Sequence, residues 1–130
     1  MPEVILLALV GWSLEQNLVG VAAMLATAFH CFLRAGEMLS LVPNNVFLRA
    51  GFVGVLSLGW TNSALGKGSP ESVTLDCSAC GRLLTAAMAK CQKAGDPIVG
   101  CTPSAFRKIF DEGLRALKAG RLQFKPYSLR

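Results

Sequence analysis

The sequence predicts an α+β fold, predominantly α-helical, with a small antiparallel sheet of two or three strands set among the helices. Two observations carry this. Residues 4–42 and 79–119 show apolar runs or helix-period apolar spacing. The stretch between them, residues 46–75, shifts to short segments rich in Val, Phe, Leu and Thr, separated by Gly, Asn and Pro. With 130 residues, 52% apolar and 16% charged, the chain forms one domain at most and is too apolar for intrinsic disorder.

Each element has a local reason. Pro2 and Glu3 suit a helix start, and Val4–Leu14 follows as a short apolar helix. Gln16–Leu33 reads as a second helix, apolar around most of its circumference and therefore central. Ala35–Val42 is a short third helix with Glu37 in its first turn, where the helix dipole favours a carboxylate. Pro43-Asn-Asn45 ends it. Val46–Arg49 and Phe52–Leu58 read as strands divided by Ala50-Gly51, and Ser72–Leu75 as a third. The loop between the last two, over 61–70, holds Asn62, Gly66, Gly68, Ser69 and Pro70. Ser78 or Asp76 is placed to cap a helix over Ala79–Lys93. Thr102-Pro103 combines an N-cap hydroxyl with proline at the first helical position, and starts a helix to Ala119 that Gly120 closes.

The net charge of +5 is unevenly placed. Residues 1–33 hold Glu3 and Glu15 and no Lys or Arg, whereas residues 107–130 hold seven basic residues against Asp111 and Glu112. Such a C-terminal third suits a polyanion, nucleic acid above all, or else is a solvated helix face. Neither Val4–Val10 nor Leu18–Leu33 reaches the ~20 residues of a spanning helix, and no basic start marks a signal peptide, so no membrane role is expected.

The five cysteines, Cys31, Cys77, Cys80, Cys91 and Cys101, are odd in number and suit reduced, intracellular usage. Cys77-Ser-Ala-Cys80 is a CxxC. Small thiols filling a core next to a helix start account for it, and no metal or cofactor is expected. A zinc site built from the four later cysteines is the alternative. His30, the only histidine, lies in an apolar run and reads as a core residue.

Arg34 follows an uncharged stretch at a helix junction, where a planar guanidinium can take a phosphate in a forked pair of hydrogen bonds. Glu37 either orients it or forms an ordinary helix-surface pair with it. Lys67 stands between Gly66 and Gly68, which let backbone approach a ligand, and its ammonium can bind phosphate or donate a proton. Tyr127 and Arg130 fall at helical i and i+3 spacing after Pro126, which places a hydroxyl beside a guanidinium.

The order of these pieces resembles the tyrosine recombinases, the phage-integrase family. Leu33-Arg-Ala-Gly-Glu-Met-Leu-Ser-Leu41 is similar to that family's Leu-Arg-x-x-Glu-(Leu/Met)-x-x-Leu box. Gly66-Lys-Gly68 with Val73-Thr-Leu75 resembles the hairpin that carries its lysine, and Lys125-Pro-Tyr-Ser-Leu-Arg130 resembles its Pro-His-x-Leu-Arg box. The resemblance covers residues 16–130, within a single partial catalytic domain over 1–130. It implies that Arg34 and Arg130 hold a scissile phosphate and that Lys67 protonates the leaving 5′ hydroxyl. A tyrosine then attacks to form a 3′-phosphotyrosine. Preorganised cations act most strongly where charge develops on the phosphorane.

Three departures bear on activity. Tyr127 stands where the family usually has histidine, and a phenol is a poor base near neutrality. The family lysine aligns with Lys67 or, in another register, with Asn62. The sequence stops before the family's later His/Trp position and its nucleophile, since Tyr127, the only tyrosine, belongs to the arginine box. The expectation is therefore a C-terminally truncated recombinase domain that binds duplex DNA and has no turnover of its own. Arg34, Lys67, Arg107, Lys108, Lys125 and Arg130 would contact DNA, self-association on DNA would be possible, and the protein would reside with the DNA, in a prokaryotic cytoplasm or a nucleus. The alternative is a non-catalytic helical interaction module or a decayed mobile-element relic.

Overall fold

A computed structural model describes residues 2–60, 70–93 and 95–119. The element order is α1 (Glu3–Glu15), α2 (Val19–Cys31), α3 (Ala35–Ser40), a 3-10 turn (Pro43–Asn45), β1 (Val46–Arg49), β2 (Val53–Trp60), β3 (Pro70–Leu75), α4 (Ser78–Met88) and α5 (Pro103–Ala116). The mainly helical α+β architecture with a three-stranded antiparallel sheet agrees with the sequence reading. No helix among the described residues is long and apolar enough to cross a membrane.

The core gathers around α2, whose residues Val21–Ala28 are buried without interruption. Four of them are alanines, so neighbouring helices approach its backbone closely. At Gly20 a Cβ would collide with the carbonyls of Ile98 and Val99, so the 97–100 loop can pack directly on the helix start. Leu6 and Leu9 of α1, Met38 of α3, Leu56 of β2, Leu75 of β3, Leu84 of α4 and Phe106, Phe110 and Leu114 of α5 complete one continuous cluster. Thr102 accepts a hydrogen bond from the Ala105 N–H at 3.2 Å, the N-cap its sequence position implies.

Helix ends differ from the sequence reading for a shared reason. Three helices close on a left-handed residue that is not glycine: Asn17 (φ 60), Phe32 (φ 55) and Lys118 (φ 60). In each, the following N–H reaches back to the last turn: Leu18 to the Ser13 carbonyl, Leu33 to Ala28 and Ala119 to Leu114. Asn17 therefore ends α1, and α2 begins at Val19 rather than Gln16. Lys118, not Gly120, turns the chain out of α5, and Gly120 lies outside the described residues. Helix α4 stops at Met88, short of Lys93, and its N-cap is Cys77 with no side-chain cap, in place of Ser78 or Asp76.

In the sheet, β2 is central, with Val46 opposite Leu56 on one side and Leu56 opposite Val73 on the other. Ala50-Gly51 turn the chain between β1 and β2, as their sequence suggests. The Phe52 N–H closes the turn on the Arg49 carbonyl at 3.1 Å, and Gly51 (φ 88) takes the left-handed position. Phe52 belongs to this turn and not to the strand. Between β2 and β3 the register slips at Ser57/Gly59, leaving Leu58 as the extra residue of a bulge.

Candidate functional site

The C-terminal end of α2 organises the polar chemistry of the described residues. Phe32, in its left-handed conformation and 69% exposed, reverses the chain direction. Leu33 then drops into the core and Arg34 emerges at the surface as the N-cap of α3. Glu37, three residues on, accepts the Arg34 backbone N–H through Oε1 at 2.8 Å. This is the one half of a capping box available here, because a guanidinium has no acceptor for the reciprocal bond. The Glu37 carboxylate thus holds the backbone of Arg34 and makes no ion pair with its guanidinium. The Arg34 side chain has no hydrogen-bond or ion-pair partner among the described residues.

Arg34 and Glu37 line a pocket of about 360 Å³ whose opposite wall is the β2–β3 pair: Leu58, Glu71, Ser72 and Val73. Phe32 and Cys31 form its rim. Leu58, the extra residue of the bulge, lies in this wall. Arg107 and Lys108 are exposed on α5 and do not line this pocket. Lys67 and Asn62 fall in the 61–69 segment, and Lys125, Tyr127 and Arg130 in 120–130, all outside the described residues. Of the sequence-predicted set, then, Arg34 and Glu37 are placed together, and Arg107 and Lys108 are placed elsewhere.

A second cluster was not foreseen. His30, in the last turn of α2, is exposed rather than a core residue, its ring edge-on to Phe29 at 6.0 Å. Its imidazole meets the thiols of Cys77 and Cys80, and the three donor atoms all lie within 4.8 Å of one another. Cys77 is the N-cap of α4 and Cys80 its third residue, so the CxxC spans the helix start. Close packing at Gly81 seats that start. Gly81 is buried, and a Cβ there would collide with the Phe52 carbonyl of the β1–β2 turn. Arg82 lies over the Phe52 ring, 5.1 Å from its centre, across the same joint.

Cys80 is 1% exposed. Burial pushes its thiol well above the ordinary range, with further increments from a hydrogen bond to Cys77 and from nearby Cys77, Cys31 and Asp76. Burial, then Asp76 and Cys77, pushes Cys31 up to about 11. The Cys31 Sγ lies 4.0 Å from the Thr74 carbonyl of β3. Cys91 and Cys101 stand apart, lining a larger groove between α2, α4 and the 95–103 loop. The four later cysteines therefore do not form one site, and the histidine joins the CxxC in their place.

Comparisons with protein-family models, with curated proteins and with solved structures find no match to this chain.

Proposed function

We propose that the chain is the phosphate-binding part of a tyrosine-recombinase-like catalytic domain and binds duplex DNA. The observation that supports this best is Arg34: an exposed guanidinium, unpartnered among the described residues, at a pocket whose far wall is a β-hairpin. Arginine box, then hairpin, is the order in which the family supplies two of its phosphate-handling groups.

In this reading the Arg34 fork takes two non-bridging oxygens of a DNA phosphate, and the Glu37 cap fixes the backbone from which it projects. Arg130 is the second phosphate ligand and Tyr127 a hydrogen-bond donor beside it. Lys67 stands as the acid for the 5′ hydroxyl, with Arg107, Lys108 and Lys125 as flanking phosphate contacts. The role read for these residues is binding and orientation of the phosphate.

Fluorescence anisotropy on a labelled duplex tests it. Affinity should fall steeply between about 50 and 200 mM salt, as counterion release requires. Arg34→Ala should weaken binding roughly 10-fold or more, the scale of one lost charge-assisted contact of about 1.5–3 kcal/mol. Affinity that is flat in salt, or indifferent to Arg34→Ala, overturns the reading.

One observation favours the alternative of a helical interaction module. Val4, Leu7 and Leu14 are 73%, 60% and 42% exposed, and their helical spacing puts all three on one side of α1. Salt-insensitive DNA binding with intact folding would shift the weight to that reading.

A further inference from the structure

We propose that His30, Cys77 and Cys80 bind a zinc ion that clamps the end of α2 to the start of α4. The three donors come from two elements and converge without any acidic cluster. They combine two thiols with one imidazole, the mixture that selects zinc over magnesium or calcium among common cellular cations. Metal–sulfur bonds of about 2.3 Å and metal–nitrogen bonds of about 2.0–2.1 Å place tetrahedral donors about 3.6–3.8 Å apart. Donors already within 4.8 Å of one another need to close by at most about 1.2 Å, which side-chain rotation can supply.

The surroundings suit a charged thiolate pair once metal is present. Cys77 and Cys80 sit at the N-cap and third position of an 11-residue helix whose first-turn N–H groups receive no side-chain cap. The positive end of the helix dipole at this terminus favours negative charge on the sulfurs. The backbone around them is held tightly at Gly81, and α2 is held by its buried run. Binding replaces two thiol protons, released to the buffer, with one divalent cation, and the imidazole enters neutral through a ring nitrogen. Three protein ligands leave the fourth tetrahedral position to water, with exposed His30 on the solvent side.

The site is distinct from the phosphate pocket, and its test is independent of DNA. The full chain, reduced under argon, is titrated with Co²⁺ and then Zn²⁺. A 1:1 complex should show thiolate-to-cobalt charge transfer in the near ultraviolet and the strong visible bands of tetrahedral cobalt, and zinc should displace it. Cys77→Ser and Cys80→Ser should each lower affinity by more than the ~10–100-fold typical of changes outside the ligand shell. His30→Gln should lower affinity likewise and alter the visible bands, while Cys91→Ser and Cys101→Ser change neither. Should a ligand variant misfold by circular dichroism, the wild-type chain decides: zinc should raise its thermal midpoint and a chelator reverse the rise. Absence of cobalt–thiolate absorption in folded, reduced protein overturns the proposal. So does a Cys77–Cys80 disulfide that persists in reductant, or a band lost with Cys91 or Cys101 but kept in His30→Gln.

Discussion

The two polar clusters at the end of α2 begin only four residues apart, at His30 and Arg34, yet they are built in opposite ways. The Arg34 pocket is open, and two of its three charged residues, Arg34 and Glu37, come from one short stretch of chain fixed by a single cap, while the third, Glu71, comes from β3. The histidine–cysteine cluster is assembled from two helices far apart in sequence. It includes a sulfur that is almost wholly buried and rests on a joint with no room for an extra methyl group. A site written in contiguous residues can be read from a motif but is held weakly. A site written by packing leaves little trace in the sequence but inherits the rigidity of the core.

Gly81 gives the sharpest break of that contrast. Alanine is the better helix former by up to about 1 kcal/mol. At Gly81, however, the new Cβ meets the backbone carbonyl of Phe52, which cannot rotate away as a side chain could. The collision should win, and Gly81→Ala should cost about 1–3 kcal/mol by urea unfolding while weakening cobalt binding. Gly11 on α1 is the control, since nothing lies within 4 Å of its Cβ position. There alanine should stabilise by several tenths of a kcal/mol or more. Equal and favourable effects at both glycines would mean that α4 is not seated as described.

Phe32, which separates the clusters, comes next. A left-handed backbone costs a residue with a Cβ about 1–2 kcal/mol, and Phe32 is 69% exposed, so glycine sacrifices little burial. Offset by the greater unfolded-chain entropy of glycine, Phe32→Gly should raise stability by about 0.5–1 kcal/mol. A loss of stability would mean that the exposed ring contributes packing. A gain accompanied by weaker DNA binding would place the ring in contact with ligand.

What could be read in advance follows the same division. Thr102-Pro103 announced α5, Ala50-Gly51 the first turn of the sheet, and the three strands stood out by residue type, because each signal is local. The end of α2 was not legible, since nothing in a phenylalanine marks a left-handed turn. His30 looked like a core residue because it lies in an apolar run. It is exposed in the last turn of α2, where its imidazole meets the two thiols at the start of α4. The CxxC was visible, but its partner was sought among later cysteines, and the pairing with a histidine on α2 exists only once the helices pack. The arginine box was legible as a motif. Both roles the sequence suggested for Glu37 act on the guanidinium, whereas the 2.8 Å bond to the Arg34 N–H places the carboxylate on the backbone.

That last point yields the smallest effect and the finest test. If Glu37 serves only as a cap, Glu37→Ala should cost about 0.5–1 kcal/mol of stability, the range for losing one capping bond. Glu37→Gln should cost less, because an amide oxygen still accepts from the Arg34 N–H and only the favourable charge at the helix start is lost. Neither change should approach the effect of Arg34→Ala on DNA affinity, and neither should alter cobalt binding, since Glu37 lines the open pocket and is not among the cobalt donors. A different pattern would redraw the comparison. Glu37→Gln that leaves stability intact but weakens DNA binding as much as Arg34→Ala would show that the carboxylate steers the guanidinium. The open pocket would then be a preorganised site in its own right, not a loose neighbour of the packed one.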